Sequence, residues 1–211
     1  VGDGGTALDA RRHWDIVYGA DPTVVSWYQP SPALSLELID ALGVGPRAPV
    51  IDVGGGASTL VDELLRRGFG DVSVLDVSGA ALDTARRRLG EAAARVHWLQ
   101  EDLRRWSPAR RYGLWHDRAV FHFLVERADQ DCYRRLLASA VQPAGAAVIA
   151  AFGPSGPSQC SGLPVVRYGI EELAAAAGDG FELVSARHED HTTPAGAVQP
   201  FVWVALRSRS A

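Results

Sequence analysis

Methionine is absent from the 211-residue sequence and cysteine nearly so, with only Cys132 and Cys160. Two thiols make no disulfide framework, and a chain of this length buries a core without one, so both are expected to be reduced. No apolar run approaches the ~20 residues that a membrane-crossing helix needs, so no membrane role is expected. The first residues lack a basic segment followed by an apolar run and a small-residue cleavage site, which points to the cytoplasm. Positive charge is not in excess either: 25 acidic side chains against 21 basic ones give a formal net charge of −4. Without a broad basic field there is little to attract phosphate backbones, and nucleic acid is not an expected partner. Short arginine runs such as Arg86-Arg87-Arg88 read as solvated helix faces. Internal repeats and low-complexity linkers are also missing, and nothing in the sequence fixes an oligomeric state.

What is present is the composition of an ordinary globular domain, 47% hydrophobic and 22% charged. Short apolar runs at Val50–Val53, Val72–Leu75 and Ala146–Phe152 predict strands, with weaker ones at Val96–Leu99 and Tyr112–Trp115. Between them, three- and four-residue apolar spacing predicts helices near Pro32–Leu42, Thr59–Arg67, Ala80–Leu89 and Asp129–Val141. After a helix near Ile170–Ala177, the runs Phe181–His188 and Val198–Arg207 flank a Pro194-Ala195-Gly196 turn, too short for anything but an antiparallel pair. The expected fold is a doubly wound α/β domain with a mostly parallel, seven-stranded sheet and a C-terminal antiparallel hairpin, over residues 32–211. Residues 1–31 are expected to form a separate cover segment. Its Trp14, Tyr18, Trp27 and Tyr28 need apolar surface to lie on, either the edge of the core or a bound ligand.

The run Val50-Ile51-Asp52-Val53-Gly54-Gly55-Gly56-Ala57-Ser58-Thr59 carries an apolar strand through three glycines into a helix. Glycine lets a ligand lie against the backbone, and the helix start offers unpaired N–H groups. A dinucleotide-binding turn would read Gly-x-Gly-x-x-Gly, but here the third position is Thr59. Asp52 matters more: an acid inside the strand's end repels a pyrophosphate and suits a cationic ligand. A second strand, Val72–Leu75, ends in Asp76, placed to accept from both hydroxyls of a ribose. Asp102 and Leu103 come after the weak third strand, giving an acid after each of three successive strands.

With Asp52, Gly54 and Gly56 in place, the sequence resembles the class I S-adenosylmethionine-dependent methyltransferases, whose glycine motif reads acid-x-Gly-x-Gly-x-Gly; Ser58 replaces the last glycine. The resemblance implies S-adenosylmethionine as cofactor and S-adenosylhomocysteine as product. It implies that Asp76 and Val77 meet the ribose and that Asp102 and Leu103 meet the adenine. The run Trp115-His116-Asp117-Arg118 is similar to the Trp-Asp-Arg segment of thiopurine-type and related small-molecule methyltransferases, with His116 inserted. At the C-terminal tip of the predicted fourth strand, where an open α/β sheet has its ligand crevice, His116 and Asp117 are expected near the methionine part or the methyl group, with Trp14, Tyr18, Trp27 and Tyr28 over the cofactor. The segments around His13–Tyr18 and Ser26–Gln29 resemble the start of a bacterial subgroup of these enzymes, and the likeness spans about residues 13–206.

For catalysis, His122 is the candidate proton acceptor and Asp117 a second candidate at the transfer centre; the alternative for His122 is a hydrogen-bonded packing role. The Gly/Pro-rich loop from Phe152 to Tyr168 is expected to cover the acceptor, with His122, Phe152 and Cys160 as substrate-binding candidates. No metal site is expected: His188 and His191 would point to opposite faces of a strand. The expected activity is methyl transfer to an O, N or S nucleophile on a small molecule. The alternatives are a protein side-chain methyltransferase, a binding module without turnover, and a nicotinamide-dependent oxidoreductase, the last disfavoured by Asp52.

Overall fold

The computed structural model describes residues 5–19, 21 and 23–209, with side chains from residue 10 onward. Positions 1–4, 20 and 22 of the expected cover segment, and 210 and 211, lie outside the described residues. In chain order the elements are α1 (Gly5–Gly19), α2 (Ala33–Ala41), β1 (Val50–Val53), α3 (Leu60–Arg66), β2 (Val72–Asp76), α4 (Gly79–Leu89), β3 (Val96–Gln100) and β4 (Tyr112–Arg118). They continue with α5 (Arg127–Ala140), β5 (Val141–Phe152), the short pair β6 (Gln159–Cys160) and β7 (Leu163–Pro164), α6 (Ile170–Ala176), β8 (Phe181–Thr192) and β9 (Val198–Ser208).

Seven strands form one sheet in the order β3-β2-β1-β4-β5-β9-β8. The first five are parallel, and β9 runs antiparallel to both β5 and β8. This is the expected fold. Every position of β1 and β2 is buried, which is why these strands read as continuous apolar runs: helices cover both faces of a parallel sheet. On one face Val50, Val72, Val74 and Leu114 pack with Leu38 and Ile39 of α2 and Leu60 and Leu64 of α3. On the other, Ile51, Val53, Leu75 and Trp115 pack with Tyr133 and Leu137 of α5 and Leu173 of α6.

Strand order reverses between β1 and β4, so the connections leaving their C-terminal ends part in opposite directions and open a crevice there. Two elements differ from the sequence reading. Residues 5–19 form the helix α1, whose Ala10, Trp14 and Tyr18, spaced by four, share one face. β5 begins at Val141, directly after α5, and reaches its regular pairing with β4 only after an irregularity at Ala144, which has a φ of 56°. No helix among the described residues is long and apolar enough to cross a membrane.

Candidate functional site

The crevice holds a cavity of about 250 Å³ and, beside it, a smaller space of about 60 Å³. Tyr18, Trp27, Gly54 and Arg118 border both. The parallel register explains the floor of the smaller one. Asp52 of β1 pairs with His116 of β4, so their side chains emerge together on one face. His116 Nδ1 lies 2.7 Å from Asp52 Oδ1, and its Nε2 lies 3.0 Å from Ser35 Oγ on α2. All three residues are buried, and the other Asp52 oxygen, Oδ2, has no partner among the described residues. Tyr28 and Ser58 also border this space.

At the turn after β1, the Gly54 and Gly55 N–H groups both donate to Leu75 O, which ties the turn to β2. Gly54 and Gly56 have φ of 64° and 36°, where a Cβ is disfavoured. A Cβ at Gly54 would run into Val120, and one at Gly56 would come 2.6 Å from Asp76 Oδ2. The glycines thus keep the floor open and bring the Asp76 carboxylate close to the turn.

Asp76 ends β2 and lines the larger cavity with Val77, Asp102 and Leu103. Its Oδ1 accepts from the Ser78 N–H at 2.8 Å. Burial pushes its carboxyl up to about 7, with Asp52 and Asp15 adding to the rise and backbone hydrogen bonds opposing it. Ser78 caps α4 by accepting from Ala81 N–H, and its hydroxyl donates to Asp15 of α1 at 2.7 Å. That bond fastens α1 to the turn after β2. Asp102 also faces the cavity, but both of its oxygens hold the Arg104 side chain. Burial alone would raise Asp102; the Arg104 bonds outweigh it and hold the carboxyl below its usual value.

The tip of β4 is organised differently. Asp117 is fully buried, with Oδ1 accepting from the Val120 and Phe121 N–H groups and Oδ2 from the Tyr133 hydroxyl at 2.7 Å. Burial raises it to about 6 against those bonds. His122 is also buried, between the rings of Phe123 and Phe152, with centroids 4.5 and 4.6 Å away. Its Nδ1 accepts from Phe152 N–H at 3.4 Å and its Nε2 has no partner among the described residues. Burial and the nearby Arg118 charge pull it down to about 3. Gly56, Asp117, His122 and Phe152 border neither space.

The roof is aromatic. Trp14, Tyr18 and Trp27 wall the larger cavity, Trp14 stands edge-on to Trp27 and Phe123 at 5.6 and 5.1 Å, and Trp27 Nε1 donates to Tyr18 Oη at 3.0 Å. Cys160 and Leu163, from the β6–β7 pair in the loop after β5, reach the same cavity. Burial raises the Cys160 thiol to about 11 and lifts the Tyr18 hydroxyl well above its usual value. Both stay protonated at neutral pH.

Sequence reasoning missed Arg118, Ala119, Val120, Phe123 and Leu163, all cavity-lining. The signal for Arg118 was present: alternation along β4 places Leu114, His116 and Arg118 on one face, with Arg118 at the open end. Ala119 comes next with a φ of 71°, a strained position for alanine that no sequence pattern announces. On β8, His188 is exposed and His191 is buried, with Nε2 2.7 Å from Ser26 O.

The residues fit an adenosyl sulfonium cofactor on observations of the structure itself: an orphaned buried carboxylate oxygen on Asp52, a glycine turn that side chains would fill, and a carboxylate at the β2 tip facing the cavity. The comparisons agree. Residues 50–145 match a family model described as a methyltransferase domain. A solved S-adenosylmethionine-dependent methyltransferase from Anabaena variabilis superposes with a TM-score of 0.72 at 18% identity, over 98% of this chain and 96% of that one. The N-methyltransferase NodS of Bradyrhizobium japonicum, solved with S-adenosylhomocysteine, gives 0.70 at 13% identity, over 95% and 99%. The 1,6-didemethyltoxoflavin-N1-methyltransferase of Burkholderia thailandensis, solved with bound 1,6-didemethyltoxoflavin and S-adenosylhomocysteine, gives 0.67 at 18%, over 96% and 85%. No curated protein sequence matches this chain. Residues 50–145 thus match a methyltransferase domain, and the chain as a whole shares the fold of solved S-adenosylmethionine-dependent methyltransferases.

Proposed function

We propose that the protein transfers the methyl group of S-adenosylmethionine to a nucleophile on a small molecule held under the aromatic roof. The observation that carries this reading is the larger cavity. Its lining combines the strand-tip residues Asp76, Val77, Asp102 and Leu103 with the apolar or weakly polar Phe123, Cys160, Leu163, Trp14 and Trp27. The first group suits adenosine and the second the body of an acceptor. The toxoflavin enzyme, which shares the fold, was solved with 1,6-didemethyltoxoflavin bound. A net charge of −4 argues against a nucleic-acid acceptor.

When bound, the cofactor supplies an electrophilic methyl on sulfur. The chain's residues position and enclose. Asp52 Oδ2 and Asp76 take the cationic and ribose ends, Gly54 and Gly56 admit them, and the Tyr18–Trp27 pair excludes water. His116 is a positioning residue that holds Asp52 in place, and Asp117 closes the turn after β4. His122 is not the base on this reading: it is neutral, lies outside the cavity and orients the Phe152 backbone. Tyr18 and Cys160 are protonated and so do not take the acceptor's proton. Residues from α1 to Gln29 act as the cover of the domain.

Parallel calorimetric titrations with S-adenosylmethionine, S-adenosylhomocysteine and NADH test the reading, followed by release of S-adenosylhomocysteine across an acceptor panel. The two adenosyl compounds should bind and NADH should not. Binding of NADH alone would sink the assignment of Asp52. Tight cofactor binding with no turnover on any acceptor would instead leave a binding module.

A further inference from the structure

Arg118 closes β4 where the two spaces meet. One of its five N–H donors is used: Nη1 donates to the Trp27 carbonyl at 2.7 Å. Its Nε and Nη2 are buried and have no partner among the described residues. Those two nitrogens share an edge of the planar guanidinium, so their hydrogens point in parallel at the spacing of two carboxylate oxygens. The plane is set from β9, with the guanidinium carbon 4.9 Å from the Phe201 ring centre and 5.9 Å from that of Trp203. Burial pulls Arg118 down to about 10, which leaves it charged at neutral pH. The other arginine on the larger cavity, Arg104, is held by Asp102 and lies near Asp129.

A charged edge buried without partners is costly, and such a cost persists where a ligand relieves it. The cofactor's own carboxylate has other donors. The Gly56 and Ala57 N–H groups donate to nothing among the described residues, and the orphaned Asp52 Oδ2 stands ready for the ammonium. These groups can meet the amino-acid end of the cofactor without Arg118.

We propose that the side-on edge of Arg118 anchors a carboxylate of the methyl acceptor, so that the substrates are small organic acids. The carboxylate would sit on Nε and Nη2, with the body of the acceptor against Phe123 and Leu163. This inference rests on the reading of the cavity as a methyl-transfer site.

Arginine Nε–H resonances of the ¹⁵N-labelled protein test it, with acetate as the probe. The Arg118 signal is assigned by its loss in Arg118→Lys. In protein saturated with S-adenosylhomocysteine, acetate should move that signal saturably at millimolar concentration, while chloride at equal ionic strength should not. If S-adenosylhomocysteine moves the signal, methylthioadenosine, which lacks the amino-acid end, does not, and acetate then has no effect, the edge serves the cofactor and the proposal is overturned. A signal indifferent to every carboxylate overturns it too. Should S-adenosylhomocysteine fail to bind, the methyltransferase reading falls, while acetate titration of the free protein still decides what Arg118 binds.

Discussion

Asp76 and Asp117 make an instructive pair. Each is a buried acid at or near the C-terminal tip of a parallel strand, and burial raises both, to about 7 and about 6. In sequence they look alike, yet their chemistry diverges because the chain leaves the two strand tips by different turns. After Asp76 it passes through the Ser78 cap into α4, using one carboxylate oxygen and leaving the residue on the cavity wall. After Asp117 it tightens into a single turn that takes Oδ1, and Tyr133 of α5 reaches back for Oδ2. One acid is left available to a ligand and the other is consumed by the fold. An acid at a strand tip is a binding residue only if its partners are missing.

The contrast is most strongly tested at Asp117. Replacing it by Ala strands a buried tyrosine hydroxyl and two N–H groups, and should destabilise the protein by about 3–5 kcal/mol in denaturant unfolding. Cofactor affinity in the remaining folded fraction should be unchanged. Asp76→Asn should do the reverse: weaken S-adenosylhomocysteine about 10- to 100-fold, the worth of a charge-assisted pair of hydrogen bonds, while apo stability at pH 8 holds or rises because a desolvated charge is gone. A loss of stability as large as that of Asp117→Ala would erase the distinction.

A smaller effect comes from titration. A ribose hydroxyl donates best to the ionised carboxylate, so affinity should fall as pH drops below about 7, by at most about tenfold per unit. Calorimetry in buffers of different ionisation enthalpy should show a proton released on binding below that pH, and a flat profile would remove Asp76 from the ribose. In the apo protein the raised Asp76 and Asp117 contribute stability that is present at acid pH and lost as pH rises through about 6 to 7. The depressed His122 acts oppositely, contributing stability above pH 6.5 that drains away toward pH 3. The smallest effect is expected from His122→Gln. It should leave the shape of the pH–rate profile intact and reduce only that acid-side loss of stability; a vanished basic limb would restore His122 as a proton acceptor.

The layered sheet was legible from the apolar runs, because burial on both faces leaves little choice of residue at Val50–Val53 or Val72–Leu75. Asp52 and Asp76 were legible as well, since an acid within a buried strand is an anomaly that needs a reason. The fate of Asp117 and His122 was not, because it depends on Tyr133, Phe152 and Phe201, which come from other elements and meet these residues only in the folded sheet. Helix α1 was obscured by its aromatics, although their four-residue spacing carried the information. Arg118 sat beside the acid that drew attention, and its open edge is a property of packing that no local pattern encodes.

The placement of β9 bears on how the molecule reaches this state. It comes after every other strand in the chain yet lies inside the sheet, between β5 and β8, with Phe201 to Leu206 all buried. Until β9 docks, the β5 edge and its apolar surface have no covering strand. Pairing Ala146 with Arg207 closes a long loop, which makes this step slow relative to the local β1–β2 and β2–β3 pairings. Self-association during refolding should therefore concentrate on the window in which the parallel half has formed and β5 still waits for its neighbour.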